Sequence, residues 1–342
     1  SRWTLFLLSG FQVVVSVPSP NGSGWLEREG LRVDAEYFYP ASAMKLCSAV
    51  AALEALTELR ETKGSHVDVT ATLVNEGRAK RRGGGASVAS LVSGALVSSD
   101  NDANNELFDF AGYDGLHERM WRLGLSSVRM RHRLSASPND DARSSPKMML
   151  LSAGEQIVVP ARDARLALGK NDQGGIRVGE SHFASGRLVE EPMSFEDKNR
   201  ISLTDLQELL IAVMRPDLRT AGGPRLGAQE RAVLVEALTA VPSARGAKPS
   251  ADRERKPMLE GALRVVPRSS LTFASKGGRA YGFAVENAYV LDARTGRSFF
   301  IAAAVYANAN GRLNDDLYEY EEVALPLFAD LGEIVARTGF DA

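Results

Sequence analysis

Ser42 and Lys45 place a hydroxyl and an amine three residues apart, at the start of a segment that is predicted to be helical. Residues at this spacing lie on the same face of a helix, so the Lys45 amine is expected to reach the Ser42 hydroxyl. A serine hydroxyl is a weak nucleophile until a neighbouring base takes its proton, and a lysine serves as that base if its surroundings lower its pKa. The pair predicts a catalytic centre, although a capped helix with a solvated lysine would have the same sequence.

A polar triplet, Ser99-Asp100-Asn101, lies between two predicted helices. The helix before it carries apolar residues at a period of 3.6, namely Val88, Leu91, Val92, Ala95 and Leu96. Side chains of Ser, Asp and Asn bond to nearby backbone groups, so capping is the simplest interpretation of the triplet taken alone.

A third motif, Lys276-Gly277-Gly278, precedes two apolar runs at 283–291 and 298–306. These runs are rich in β-branched and aromatic residues and are separated by a short turn sequence, which predicts two antiparallel strands. Lys276 is therefore expected on or beside an exposed strand.

The three motifs together resemble those of the class A β-lactamases and penicillin-binding proteins, which carry Ser-x-x-Lys, Ser-Asp-Asn and Lys-Thr-Gly in this order. Ser42 and Ser99 are separated by 57 residues, and the motifs fall on a helix start, an interhelical loop and a strand, in agreement with that family. Further matching segments lie at 37–42, 98–105, 191–195, 198–200, 280–283 and 314–316. The resemblance covers nearly the whole chain.

The resemblance implies acyl transfer through Ser42. Lys45 would be the base or part of the proton relay, and Ser99 would pass a proton toward the leaving nitrogen of the substrate. Asn101 would position Lys45 and the substrate amide, and Lys276 would offer its charge to the relay and to a substrate carboxylate. The family carries no cofactor in this role.

The resemblance also implies an oxyanion hole made by the backbone N–H groups of Ser42 and Arg279, with Gly277, Gly278 and Arg279 lining the substrate site. Such donors contribute about 2.7–4 kcal/mol each in analogous sites. The family normally has Thr or Ser where this chain has Gly277, so recognition of a substrate carboxylate is expected to weaken or to move to the Arg279 side chain.

A second departure concerns deacylation. Class A enzymes use a Glu in the pattern Glu-Pro-x-x-Asn, and this chain has Glu191-Pro192, but the residue four beyond Glu191 is Phe195. We favour the interpretation that Glu191 is a surface carboxylate, while activation of water by Glu191 stays open. Without that base, an acyl-enzyme would be long-lived.

The composition argues against several other classes of function. The net charge of −2 gives no reason to expect a nucleic-acid partner. Cys47 is the only cysteine and falls within an apolar pattern, so we expect a small core residue and no intramolecular disulfide. The four histidines are dispersed without the spacing of zinc hydrolases, so no catalytic metal is expected.

The order of predicted elements favours a mixed α/β (α+β) fold with two lobes, forming one β-lactamase-like catalytic unit over 1–342. Strands are expected near 3–17, 31–38 and 271–305, and helices at 42–110, 202–214, 229–239 and 317–337. The antiparallel sheet would be built from both chain ends, at 1–40 and 257–342, and 41–256 would form an inserted helical lobe. The apolar stretch at 3–17 is shorter than the roughly 20 residues of a membrane span.

Three functions remain open on the sequence. The leading one is a class A-like β-lactamase or a related serine hydrolase, whose partner is a small β-lactam. The second is a peptidase or penicillin-binding protein that acts on D-alanyl peptides and deacylates slowly, and the third is a non-catalytic binding protein. The resemblance implies a periplasmic, cell-envelope or secreted location, and the sequence leaves the oligomeric state open.

Overall fold

The structure is a computed structural model, and it describes residues 10–19, 26–75, 85–137, 139–152, 154–240 and 256–340. The described helices are α1 (Lys45–Lys63), α2 (Val88–Leu96), α3 (Asn101–Ala111), α4 (Tyr113–Arg122), α5 (Leu203–Met214), α6 (Ala228–Thr239), α7 (Pro257–Ala262) and α8 (Leu325–Phe340). Short 3₁₀ turns occur at Ala41–Met44, Pro216–Leu218 and Arg268–Ser270, and a π-helical turn at Tyr320–Ala324 precedes α8.

The described strands are β1 (Gln12–Pro18), β2 (Leu26–Leu31), β3 (Thr72–Asn75), β4 (Ala86–Ser87), β5 (Ser144–Ser145), β6 (Met148–Ser152), β7 (Glu155–Val159), β8 (Arg162–Asp163), β9 (Arg177–Val178), β10 (Ser181–Ala184), β11 (Arg187–Val189), β12 (Met193–Ser194), β13 (Leu271–Ser275), β14 (Gly278–Ala280), β15 (Phe283–Asp292), β16 (Ser298–Tyr306) and β17 (Arg312–Leu313). The chain divides into two compact units. The sheet unit comprises Ser1–Ala43, Gly169–Thr220 and Arg255–Ala342, and the helical unit comprises Met44–Leu168 and Ala221–Glu254.

The sheet unit is organised around one antiparallel sheet with the strand order β13-β15-β16-β1-β2, in which β14 also pairs with β15. Strands from the two ends of the chain are neighbours in it, because β1 pairs with β16. Residues of the central strands are nearly all buried, and they pack with α7 and α8 in an apolar core that includes Phe299, Ile301 and Phe328. This confirms the predicted fold class and the predicted origin of the sheet.

Helix α5 belongs to the sheet unit, whereas the sequence predicts that all of 41–256 lies in the helical lobe. Polar bonds tie this helix to the strands: Gln207 Nε2 donates to Val14 O over 2.9 Å, and Asn287 Nδ2 donates to Leu206 O over 2.6 Å. Its N-terminus is capped by Ser202, whose side chain accepts from Asp205 N. The local pattern identified the helix but did not determine which unit it packs against.

The predicted strand at 31–38 is wrong, and the strand of this region is β2, which ends at Leu31. Arg32 and Asp34 have φ angles of 53° and 56°, in the left-handed region, and Ala35 N bonds back to Arg32 O, so the chain turns after β2. The part of the predicted N-terminal strand before residue 10 lies outside the described residues.

Helix α1 is the central element of the helical unit, and its buried residues include Cys47, in agreement with the prediction of a core position. Helices α2, α3, α4 and α6 all contact it. Two of its own charged side chains are paired: Glu54, which is buried near the middle of the helix, binds Arg122, and Arg60, in its last turn, binds the buried Glu230. Because most of its residues are buried, α1 is held in place by the helices around it.

Candidate active site

Ser42 lies in the 3₁₀ turn Ala41–Met44, which runs directly into α1 at Lys45. The turn is closed by Ala43 N, which donates to Pro40 O over 3.0 Å. Ala41 has a φ of 46°, a left-handed conformation that is costly for a residue with a Cβ and that clusters at functional sites. Ala41, Ala43 and Met44 are buried whereas Ser42 is partly exposed, so the turn presents its hydroxyl residue at the surface of the sheet unit.

Strand β14 approaches the backbone of Ser42 at Gly278. A Cβ at Gly278 would lie 2.3 Å from Ser42 N and 2.9 Å from Ala43 N, which no side chain tolerates without movement of the backbone. Glycine therefore allows strand β14 to lie directly against the residue predicted to be the nucleophile.

The register of β14 on β15 decides where the Arg279 N–H points. Lys276 N donates to Asn287 O over 3.1 Å, and the same register pairs Arg279 with Ala284. Hydrogen-bonded and non-hydrogen-bonded pairs alternate along an antiparallel ladder, so Arg279 occupies a non-hydrogen-bonded position. Its N–H is directed away from β15, as an oxyanion donor requires.

Lys276 and Gly277 lie on the same sheet edge, between β13 and β14. The Lys276 side chain is buried, with 1% exposure. A Cβ at Gly277 would lie 2.6 Å from Val285 O, so this position is closed to the Thr or Ser of the related families unless the backbone moves.

The Arg279 guanidinium has partners within the sheet unit. Its Nη1 lies 3.3 Å from Glu321 Oε1, and its Cζ lies 5.8 Å from the centre of the Tyr320 ring. Glu321 is more than half exposed, and exposed pairs of this kind contribute little stability. The pair therefore orients the guanidinium without holding it strongly.

In the helical unit, the Lys45 amine is fully buried and contacts Ser99. Lys45 Nζ donates to Ser99 Oγ over 3.0 Å and also to the Ser99 carbonyl oxygen. Ser99 has a φ of 55°, so this motif residue, like Ala41 next to Ser42, is in the left-handed conformation. The structure thus brings together the predicted base and the predicted proton carrier, which are 54 residues apart in the chain.

The two residues after Ser99 have different roles. Asp100 caps α3, because its Oδ1 accepts from the N–H groups of Asp102 and Ala103 over 2.8 and 3.1 Å. Asn101 Nδ2 donates to Ser135 Oγ over 2.8 Å. The resemblance implied that Asn101 positions Lys45, whereas the bond in this structure is to Ser135.

Ser135 was not identified from the sequence, and its placement depends on Asn105. Leu134 N donates to Asn105 Oδ1 over 3.0 Å, and Asn105 Nδ2 donates to Leu134 O over 2.9 Å. This reciprocal pair fixes the Ser135 loop against α3. No local pattern announces it, because the bond joins residues 29 positions apart.

Glu191 and Phe195 occupy contrasting environments in the sheet unit. The Glu191 side chain is 73% exposed, and its carboxylate lies 3.9 Å from Arg177 Nη2. Phe195 is fully buried, with its ring 5.5 Å from that of Tyr37 and 5.5 Å from that of Tyr281. Tyr281 has a φ of 57°, so the residue after β14 is also held in a left-handed conformation.

His117 is fully buried and has a structural role. Its Nδ1 donates to Tyr113 O over 2.8 Å, and its Nε2 accepts from Met130 N over 2.9 Å, an arrangement that requires the neutral ring. Burial lowers the pKa of His117 to about 4. Among the described residues, no group of three His, Cys, Asp or Glu side chains is arranged to hold a metal ion.

Comparison with known proteins gives a partial match in sequence and a full-length match in fold. Residues 28–157, which include Ser42, Lys45, Ser99 and Asn101, match the family described as the beta-lactamase enzyme family. No curated protein matches the chain.

Several solved β-lactamases share the fold. A β-lactamase from Desulfarculus baarsii is 18% identical, with a TM-score of 0.56 over 98% of this chain and 94% of that one. The enzyme from Streptosporangium roseum is 16% identical, with a TM-score of 0.57 over 98% and 95% of the two chains. One from Burkholderia vietnamiensis is 16% identical, with a TM-score of 0.56 over 98% and 94%. The chain therefore has the β-lactamase fold. No helix in the described ranges is both long and apolar enough to cross a membrane.

Proposed function

We propose that the protein is a serine hydrolase of the β-lactamase type, which acts through an acyl-Ser42 intermediate. The observation that carries the proposal is the contact between Lys45 Nζ and Ser99 Oγ, at 3.0 Å within the helical unit. Lys45 follows Ser42 by three residues in one continuous helical segment, and a 3₁₀ turn places residues at that spacing on the same side. The chain thus has a hydroxyl, an amine and a second hydroxyl in the order that a proton relay needs.

In the proposed first step, Ser42 Oγ attacks the carbonyl carbon of an amide, and its proton passes to Lys45 Nζ. The negative charge that develops on the carbonyl oxygen is bound by the backbone N–H groups of Ser42 and Arg279. Collapse of the tetrahedral species breaks the C–N bond. Ser99 gives its hydroxyl proton to the leaving nitrogen and takes the proton held by Lys45 Nζ in its place. Water then hydrolyses the ester and restores Ser42. The close approach of Gly278 to Ser42 N and the outward N–H of Arg279 support this assignment.

We propose a β-lactam as the substrate, with its carboxylate bound by Lys276 and by the Arg279 side chain. The steric closure at Gly277 supports this division, because that position lacks a hydroxyl and Arg279, two residues later in the chain, carries a guanidinium. A β-lactam-hydrolysing role favours a periplasmic or secreted location, where such substrates occur.

The second candidate is a D-alanyl peptidase or penicillin-binding protein with slow deacylation. The exposed carboxylate of Glu191 and the buried ring of Phe195 favour it, because a water-activating base should lie in a sheltered site and be held by a polar partner. Both candidates require acylation of Ser42 and differ in the fate of the ester.

Intact-protein mass, followed over time after mixing with a β-lactam, tests both candidates. A mass gain that appears and then disappears, with turnover of a chromogenic cephalosporin, supports the hydrolase. A gain that persists supports the peptidase, and the absence of both a mass gain and turnover refutes both candidates.

Ser42→Ala should abolish the mass gain while the protein stays folded, since the hydroxyl is the attacking atom. Ser93→Ala, at an exposed serine of α2, is the matched control and should be acylated as the wild type is. Acylation retained by the Ser42→Ala protein would refute the assignment of the nucleophile.

A further inference from the structure

A cleft of about 690 Å³ lies within the helical unit, in a region that the proposed catalysis does not use. It is bordered by α1, by the start of α4 and by the short strands β5 and β8. Four arginines line it, Arg119, Arg143, Arg162 and Arg165. A concave region that gathers guanidinium groups has the chemistry of an anion site, provided that the groups are not already neutralised.

Two residues of this cleft, Ser145 and Arg162, are directly opposite each other across the β5–β8 pair. Opposing residues of an antiparallel pair have their side chains on one face, with Cβ atoms about 5 Å apart. Ser145 is 1% exposed, and its Oγ has no hydrogen-bond partner within the described residues. The buried Nε of Arg162 also has no partner there.

A third donor of the same cleft, Arg119 Nε, is likewise buried and unpartnered in the described part of the chain. Buried polar atoms are normally satisfied, and an unpartnered one costs free energy. Three such N–H or O–H groups around a single cleft indicate a missing acceptor there. An oxyanion supplies several acceptor oxygens at once.

The positive charge of the Arg162 guanidinium is only partly balanced by the groups around it. Its Nη2 donates to Asp109 O and Phe110 O, at the C-terminal end of α3, over 2.8 and 2.9 Å. Its guanidinium lies against Gly112, where a Cβ would come within 3.1 Å of Cζ. Burial and the neighbouring Arg119 cation both lower the pKa of Arg162, although Asp109 opposes this effect.

The acidic side chains of the cleft do not occupy these donors. Glu58 pairs with Arg119 Nη2, and Asp114 accepts from the backbone N–H groups of Arg165 and Leu166 over 2.8 and 3.2 Å. The other two acidic residues, Glu118 and Asp163, are exposed.

We propose that this cleft is a binding site for a small oxyanion, either a carboxylate or a phosphate group, held by Ser145 Oγ, Arg162 Nε and Arg119 Nε. Arg162 would then join the anion, through Nε, to the carbonyl oxygens at the C-terminal end of α3, to which its Nη2 donates. The site is separate in sequence from every residue of the proposed catalytic centre.

The test is calorimetric titration of the full chain with inorganic phosphate and, in a separate arm, with acetate, with chloride added to hold the ionic strength constant. We expect saturable binding of at least one anion and a matching rise in Tm, and the arm that binds identifies the class of oxyanion. Ser145→Ala should raise Kd about tenfold or more, the loss expected for one hydrogen bond to a charged group.

Ser144→Ala is the matched control, because Ser144 is exposed and adjacent to Ser145 on the same short strand, where side chains alternate between faces. It should bind as the wild type does. Arg162→Lys keeps the charge but removes Nε–H, so it should also weaken binding. That result would support the proposal independently of Ser145. No saturable binding of either anion by the wild type, or equal Kd values for Ser145→Ala and Ser144→Ala, would overturn the proposal.

Discussion

Replacement of Gly278 by alanine tests the proposed oxyanion hole most directly. The added Cβ would lie 2.3 Å from Ser42 N, 2.9 Å from Ala43 N and 3.0 Å from Ala41 Cβ. All three contacts are with backbone atoms or with a Cβ that is fixed by the backbone. Side-chain rotation cannot relieve them, so the turn that holds Ser42 and strand β14 must separate.

The size of the effect follows from the distance. Ordinary contacts of a Cβ begin near 3.4 Å, so the shortest of these contacts requires a displacement of about 1 Å. Oxyanion donors act at about 2.7–3.1 Å, and loss of one donor raises the barrier by about 2.7–4 kcal/mol. Gly278→Ala should therefore slow acylation by about 10²–10³-fold.

The assay is the rate of acyl-enzyme formation, measured by intact-protein mass at early times with a fixed β-lactam concentration. Gly169→Ala is the control, because a Cβ at Gly169 meets nothing within 4 Å, and it should acylate at the wild-type rate. Circular dichroism and Tm should show that the Gly278→Ala protein is folded. Acylation of folded Gly278→Ala at the wild-type rate would refute the proposed role of this strand.

Four other perturbations have defined outcomes. Lys45→Met should slow acylation by orders of magnitude, because it removes the proposed base. Lys276→Ala should chiefly weaken substrates that bear a carboxylate, and the kcat/KM values of both variants for β-lactams with and without that group check this. Glu191→Gln should change neither acylation nor deacylation, because its carboxylate is exposed, and accumulation of acyl-enzyme in the mutant alone would contradict this expectation. His117 should make the free energy of unfolding depend on pH, because its pKa is about 4 in the folded protein and about 6.5 in the unfolded chain. The unfolded chain binds a proton at this residue first as the pH falls below 6.5, so the free energy of unfolding should decrease by about 3 kcal/mol between pH 6.5 and pH 4. Urea denaturation at both pH values should show this loss in the wild type and not in His117→Gln, and parallel losses in the two proteins would show that other groups dominate.

Features that depend on residues close together in the chain were predictable from the sequence alone. The helical period around Val88 to Leu96 and the paired apolar runs that form β15 and β16 were both predicted and are both present. These features are encoded over a few residues, where side-chain period and local hydrogen bonding select the backbone conformation. The three motifs around Ser42, Ser99 and Lys276, with their order and spacing, were also visible in the sequence.

The partners of the site residues were not predictable in the same way. The sequence showed a glycine at position 277, but only the tertiary structure shows that Val285 O closes that position to a larger residue. It likewise showed Phe195 in place of an expected Asn, but not the aromatic core that Phe195 enters. The bond from Asn101 to Ser135 joins residues 34 positions apart, and no local pattern announces it.

By itself, the sequence therefore predicted which residues would carry the proposed chemistry and on which kind of element each would lie. The tertiary structure decided which distant residues lie together: Lys45 beside Ser99, Gly278 beside Ser42, and Ser145 opposite Arg162, a pair that the sequence did not single out. The physical reason is that propensity and period act along a few neighbouring residues, whereas a contact between distant segments depends on how whole elements pack. The fit of a single Cβ against a backbone atom is set by packing at a scale of tenths of an ångström, which sequence spacing does not encode.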